Sequence, residues 1–445
     1  MKYVIIGGDA AGMSAAMQIK RQGSDEDEIV TLERGEYYSY GQCGLPYVIS
    51  GQVGSTEDVI ARSVETFRGK YGIDARVNHD VTKVDTEQQT VFGTDLSSNQ
   101  PFSIKYDKLL IATGVSPVKP NWYGTDLEGI FSLKTIPDTE ELIAYIEQNN
   151  VKQVTIVGGG FVGLELAENF KEIGVNVRII QRGDQLMNPF DFDMAELIHE
   201  EADKQGVEVI FDEAVQGFTG EQHLSTVVTD KNKYHTDVAL INVGVRPNTQ
   251  MIDKQQFYVG EKDELLVNAY METNIPNVYA AGDCASHYHI VKQVNDFIPL
   301  GTTANKQGMI AGLNMVSQTK AFQGVVGTSI LKFLDLDIGR TGLSEKEAKA
   351  LGLSYETVKL QTNAVAGYYQ KGETLTVKLV YEKDSKRLLG GQVIGRSGID
   401  KRIDVLATAL YHKMTTDELL NLDLSYAPPY NGVWDPIQQA ARRTL

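Results

Sequence analysis

Cysteine is nearly absent from this chain: 445 residues contain two, Cys43 and Cys284. They lie far apart in sequence, so no disulfide framework is available to organise the fold. Long apolar runs are missing too, none approaching the roughly 18–20 residues that cross a bilayer. The apolar start Tyr3-Val4-Ile5-Ile6 is cut short by glycines and Asp9 and does not end in a signal-peptidase site, which predicts a cytoplasmic protein with no membrane partner. Positive charge is in deficit, with 42 Lys and Arg against 59 Asp and Glu and a formal charge of −17. That balance argues against nonspecific nucleic-acid binding, which needs clustered cations to displace counterions. An anionic substrate would need a local basic patch. What the chain does have is length and 42 % apolar residues, more than one core usually organises, which predicts two or three domains.

Residues Lys2 to Ile6 read as a short buried strand. The glycine turn Gly7-Gly8-Asp9-Ala10-Ala11-Gly12 follows, then helix formers from Met13 to Arg21 and a strand Glu28 to Leu32 ending at Glu33. In a Rossmann unit such a turn brings backbone N–H groups to a pyrophosphate at a helix N-terminus, and the acid closing the second strand accepts hydrogen bonds from a ribose. Asp9 stands where the middle glycine is usual, so this copy alone also fits an ordinary strand-turn-helix. A second copy settles the matter: Val154 to Val157 runs into Gly158-Gly159-Gly160-Phe161-Val162-Gly163 and a helix-like stretch from Leu164 to Ile173. Its second strand, Asn176 to Ile180, ends in Gln181-Arg182. No carboxylate is left there to repel a 2′-phosphate and a cation is supplied, which favours NADPH, or both nicotinamides, over strict NADH use. The bland alternative for Arg182 is a solvated charge.

Two dinucleotide folds imply two dinucleotides. Leu109 to Ile111 leads into Ala112-Thr113-Gly114, and Val278 to Ala281 leads into Gly282-Asp283, where a strand-end carboxylate can accept a ribityl hydroxyl. With the Gly244-Val245-Arg246-Pro247 turn, these segments resemble the pyridine nucleotide-disulfide oxidoreductases from end to end. The resemblance implies an α/β fold with two Rossmann-like domains, for FAD and NAD(P)H, and a C-terminal α+β dimerisation domain, hence a homodimer. The expected boundaries are 1–150 with 248–320 for FAD, 151–247 for NAD(P)H and 321–445 for dimerisation. In the last, Leu375 to Tyr381 and Leu389 to Ile394 read as strands and Lys401 to Lys413 as a helix.

Cys43 narrows the resemblance. It lies in Ser39-Tyr40-Gly41-Gln42-Cys43-Gly44-Leu45-Pro46-Tyr47, and the place where the glutathione reductase branch has its second cysteine is Tyr38. What remains resembles the single-cysteine branch of coenzyme A disulfide reductases, NADH peroxidases and NADH oxidases, whose cysteine cycles through a mixed disulfide with coenzyme A or a sulfenic acid. The peroxidases and oxidases carry a histidine in the first glycine turn, where this chain has Ala10, and no histidine precedes His79. The resemblance to coenzyme A disulfide reductases implies that Tyr368 and Tyr426 of one subunit reach Cys43 of the other. It also implies a coenzyme A groove from Ser14, Gln18, Arg21, Ser39 and Gln42, a carboxylate at Glu165 near the nicotinamide, and Phe161 shielding it. Gln42 and Tyr40 depart from the asparagine and phenylalanine of that motif.

Structural readings compete at each point: Cys43 as a small packed hydrophobe, the tyrosines as interface aromatics, Cys284 as a buried thiol. His287 and His289 lack the neighbours that make a metal site. Functional alternatives are a peroxide or oxygen reductase, a persulfide reductase using the same thiol, and a flavin-binding redox sensor.

Overall fold

The computed structural model describes residues 1–369 and 374–445. Among these, three five-stranded sheets carry the architecture. The first is parallel, with strands ordered Val278–Ala280, Lys108–Ile111, Lys2–Ile6, Glu28–Leu32, Asp74–Arg76. Val4, Ile5, Val30, Leu109 and Leu110 are fully buried, as expected of a parallel sheet covered on both faces. The helix Ala10–Gln22 starts inside the glycine turn and not at Met13, because Ala10 and Ala11 are strong helix formers once the turn has reversed the chain. The helix Gly301–Met315 lies against it so closely that a Cβ on Gly308 would sit 2.1 Å from Ala11 O.

The second sheet repeats the plan with strands ordered Glu208–Ile210, Asn176–Ile180, Gln153–Val157, Val238–Ile241, Ile130–Phe131, again all parallel. Its glycine turn leads into the helix Phe161–Glu172. Ile130 and Phe131 pair with Ala239 and Leu240, and Ile136 and Leu142 share a core with Val154 and Ile156. The chain therefore joins this sheet by residue 130, ahead of the expected boundary at 151. A two-residue strand offers no periodicity from which to read it. The outgoing strand Val115–Pro117 and the returning strand Val245–Pro247 pair antiparallel as a two-stranded connector.

The third sheet is antiparallel, ordered Ser329–Phe333, Leu336–Gly342, Leu388–Gly395, Thr374–Glu382, Tyr355–Asn363. The helix Ile399–Tyr411 packs on it through Ile399, Ile403 and Leu406. Lys378, buried in this sheet, bonds Asp193 and Glu345 and stands 3.2 Å from Asp191, clamping the second unit to the third. Among the described residues no helix is long and apolar enough to cross a membrane.

Candidate active site

The first glycine turn is built for close approach. Gly7 has φ +115°, which favours glycine, and a Cβ there would meet Ala112 O at 2.1 Å. At Gly12 a Cβ would meet Gly7 O at 2.0 Å, so the turn can close only without side chains. Asp9 occupies the N-cap of the following helix without capping it, which leaves the first backbone N–H groups to bind an anion. Glu33 Oε2 accepts the Gly8 N–H at 2.8 Å. Across the cavity, Asp283 Oδ1 is buried with no hydrogen-bond partner, and burial raises its pKa. A buried acceptor left open costs free energy unless a ligand hydroxyl reaches it. The close-approach turn, the uncapped helix and this orphaned acceptor together fit FAD. Thr113 Oγ1 donates to Asn248 O at 2.5 Å, Gly114 has φ +63°, and both line the same cavity.

The second turn has the same mechanics. Gly158 has φ +106° and would place a Cβ 2.3 Å from Asn242 O, while a Cβ on Gly163 would meet Gly158 O at 2.1 Å. Gly160 caps the next helix without a side chain to offer. Gln181 takes the place of Glu33: its Oε1 accepts the Gly159 N–H at 3.0 Å. Arg182 is exposed, and with Phe161, Glu165 and Gly244 it lines the cavity. Burial, reinforced by Glu168, pushes Glu165 up to about 7.

One cavity of about 2290 Å³ runs past both turns, and Cys43 is exposed on its wall in the short turn Gln42–Gly44. Packing around the thiol raises its pKa; Glu165 acts in the same sense, Lys134 opposes, and Asp283 and Asp9 add to the rise. Asp9 turns away from its own helix toward this segment. Its carboxylate accepts Tyr40 N–H at 3.2 Å and Gln42 Nε2–H at 2.8 Å, and burial pushes it up to about 6. Lys134 Nζ donates to Gln42 Oε1 at 2.5 Å. Cys284 is fully buried, its Sγ 3.4 Å from Ile111 O, sealed from the cavity.

Ser14, Gln18, Arg21 and Ser39 line a separate cavity of about 180 Å³, together with Arg62 and Asn305. Ser39 has φ +48°, a left-handed conformation that is costly for a side chain other than glycine. Its carbonyl accepts the Ala61 N–H at 2.8 Å, tying the two sides of the groove. Gln42 does not line this cavity; Asp9 and Lys134 hold it in the larger one. Tyr368 and Tyr426 share a hydroxyl–hydroxyl hydrogen bond of 2.8 Å and are 76 % and 47 % exposed. They are not among the residues lining the Cys43 cavity of their own chain. Lys134, Arg62 and Asn305 were not singled out by sequence reasoning. Each comes from a loop or helix distant in the chain, with no motif around it.

Residues 1–308 match the pyridine nucleotide-disulphide oxidoreductase family, and residues 328–436 match that family's dimerisation domain. The NAD(P)H sulfur oxidoreductase (CoA-dependent) of Pyrococcus abyssi is 38 % identical over 440 residues, 99 % of this chain and 97 % of that protein. Coenzyme A disulfide reductase of Staphylococcus aureus is 32 % identical over 432 residues, 97 % of this chain and 96 % of that one. The structure of the water-forming NADH oxidase from Lactobacillus brevis bound to NADH matches with a TM-score of 0.95 at 29 % identity, covering 100 % of this chain and 98 % of that chain. With two glycine turns opening on one cavity and a lone exposed thiol between them, the chain belongs to the pyridine nucleotide-disulphide oxidoreductase family and is a flavin-dependent NAD(P)H oxidoreductase.

Proposed function

We propose that the protein uses NAD(P)H to reduce coenzyme A disulfide, or a related CoA-linked disulfide or persulfide, with Cys43 as the redox-active thiol in a homodimer. One observation carries this reading: the cavity lined by an exposed thiol with no cysteine partner shares Ala10 and Asn305 with a smaller groove lined by two arginines, Arg21 and Arg62. In a chain of charge −17, such a pair is the local cationic patch that a polyphosphorylated thiol substrate needs. Ser14, Gln18, Ser39 and Asn305 supply neutral hydrogen-bonding groups around it.

Glu33 and Asp283 would accept hydroxyls of the flavin dinucleotide, and the turn from Gly7 to Gly12 would hold its pyrophosphate. Gly158, Gly160 and Gly163 do the same for the nicotinamide dinucleotide, with Gln181 and Arg182 at its adenosine ribose. Phe161 covers the nicotinamide side and Glu165 orients the ring. FAD held by these residues would supply the two-electron chemistry that links NAD(P)H to the disulfide at Cys43. The Cys43 thiolate attacks one sulfur of the substrate, forming a Cys43–CoA disulfide and expelling one CoA thiolate. Tyr368 and Tyr426 of a second copy donate a hydrogen bond or a proton to that leaving sulfur. Because one hydroxyl of the pair donates to the other, one O–H of the pair is not used in that bond. Ala10 leaves the first turn without the histidine that the peroxidases and oxidases carry there.

The test is the anaerobic rate of NADPH and NADH oxidation by flavin-loaded protein with coenzyme A disulfide, hydrogen peroxide or a sulfane-sulfur donor. Preference for coenzyme A disulfide is expected. Turnover of the sulfur donor alone would move the assignment to persulfide reduction, and preference for peroxide would overturn it.

A further inference from the structure

The two departures from expected sequence, aspartate in the middle of the first glycine turn and glutamine before the cysteine, are one structure. Asp9 Oδ2 accepts from Gln42 Nε2 at 2.8 Å, and Asp9 Oδ1 accepts from Tyr40 N at 3.2 Å. The amide's other end is taken as well, because Lys134 Nζ donates to Gln42 Oε1. The result is an oriented chain of ammonium, amide and carboxylate, with its central member covalently adjacent to Cys43. Among the described residues, Lys134 Nζ has Gln42 Oε1 as its one hydrogen-bond acceptor, although Lys134 is 92 positions away in sequence.

The charges that bear on Cys43 make this cation matter. Glu165 faces the thiol from the helix Phe161–Glu172, Asp283 from the end of the strand Val278–Ala280, and Asp9 from the glycine turn. All three are carboxyls and disfavour a thiolate; Lys134 favours it. The helix that follows Cys43, Leu45–Ile49, is only five residues long. No histidine occupies position 10. The cation closing the amide chain is set against these three carboxyls.

We propose that Lys134, held through Gln42 by Asp9, is the positioning residue whose charge favours the Cys43 thiolate against the carboxyls around it. Neither Lys134 nor Asp9 reacts; they act through the charge and orientation of the turn that carries the sulfur. The inference rests on Cys43 being the reactive thiol of the proposed function, but its test does not depend on which disulfide is the substrate.

The experiment is the pH dependence of Cys43 alkylation by iodoacetamide in anaerobically reduced, desalted holoenzyme. Flavin absorbance serves as the check that each variant is folded and loaded. Lys134→Gln should move the midpoint of the rate profile up by about one pH unit, and Lys134→Arg should restore it. Asp9→Asn keeps an acceptor for Gln42 but removes the negative charge, so its midpoint should move down. A purely structural brace would instead shift both variants in the same direction or leave both midpoints unchanged, and either result overturns the proposal.

Discussion

Glu33 and Gln181 hold equivalent places in the two glycine turns, yet they offer different groups to a ligand. Glu33 accepts two backbone N–H groups, from Gly8 and Gly35 at 2.8 Å each, and Gln181 accepts one, from Gly159 at 3.0 Å. A carboxylate offers acceptors only, whereas Gln181 has committed its side-chain oxygen to Gly159 and has an NH₂ to donate. With Arg182 exposed beside it, that donor suits a 2′-phosphate. Gln181→Glu should therefore lower kcat/KM for NADPH relative to NADH by about tenfold, a difference of ~1.4 kcal/mol. Equilibrium binding of 2′,5′-ADP against 5′-AMP checks this independently of turnover; an unchanged ratio would contradict it. Residues of this kind were legible in the sequence because their chemistry is local: glycine spacing, a strand-end side chain, a thiol in a short motif. Lys134 and Arg62 were not, because each acquires its role from a neighbour that only the fold brings near. The separation of Gln42 from Ser14, Gln18, Arg21 and Ser39 was hidden for the same reason, since it depends on the rival bonds from Asp9 and Lys134.

Among the elements, the pair of helices behind the first turn fixes how tightly the dinucleotide can be held. Gly308 and Gly312 let the helix Gly301–Met315 lie against Ala11 and Ala15, with hypothetical Cβ distances of 2.1 Å and 2.6 Å to backbone oxygens. Backbone atoms cannot swing aside as a flexible side chain can. Gly308→Ala should cost ~1–3 kcal/mol by overpacking. It should lower the melting temperature and loosen FAD, because the displaced helix carries the turn. Thermal melting with flavin release as a second signal measures both, and a variant as stable and as fully loaded as the parent would contradict the argument. Periodicity and glycine placement made the strands Lys2–Ile6, Glu28–Leu32 and Asn176–Ile180 readable at their observed ends. The strand Ile130–Phe131 escaped notice, since it is ordered by its neighbour in the sheet and not by its own pattern.

At the scale of the whole molecule, the three sheets carry separate parts of the proposed electron path. The first two present their glycine turns to a common cavity, and the third carries Tyr368 and Tyr426 on an exposed face with Tyr430, Val433 and Trp434. Such an apolar face on the dimerisation domain fits burial against a second copy, which would bring the tyrosines to a cysteine they do not meet within one chain. The central claim is that Cys43 alone links the flavin to the disulfide substrate. The most direct test is Cys43→Ser, compared with the parent in two separated half-reactions under anaerobic conditions. Flavin bleaching by NADPH should proceed at the parent rate, while coenzyme A disulfide should neither reoxidise the flavin nor release free thiol. Persistent disulfide reduction by the serine variant would contradict the account.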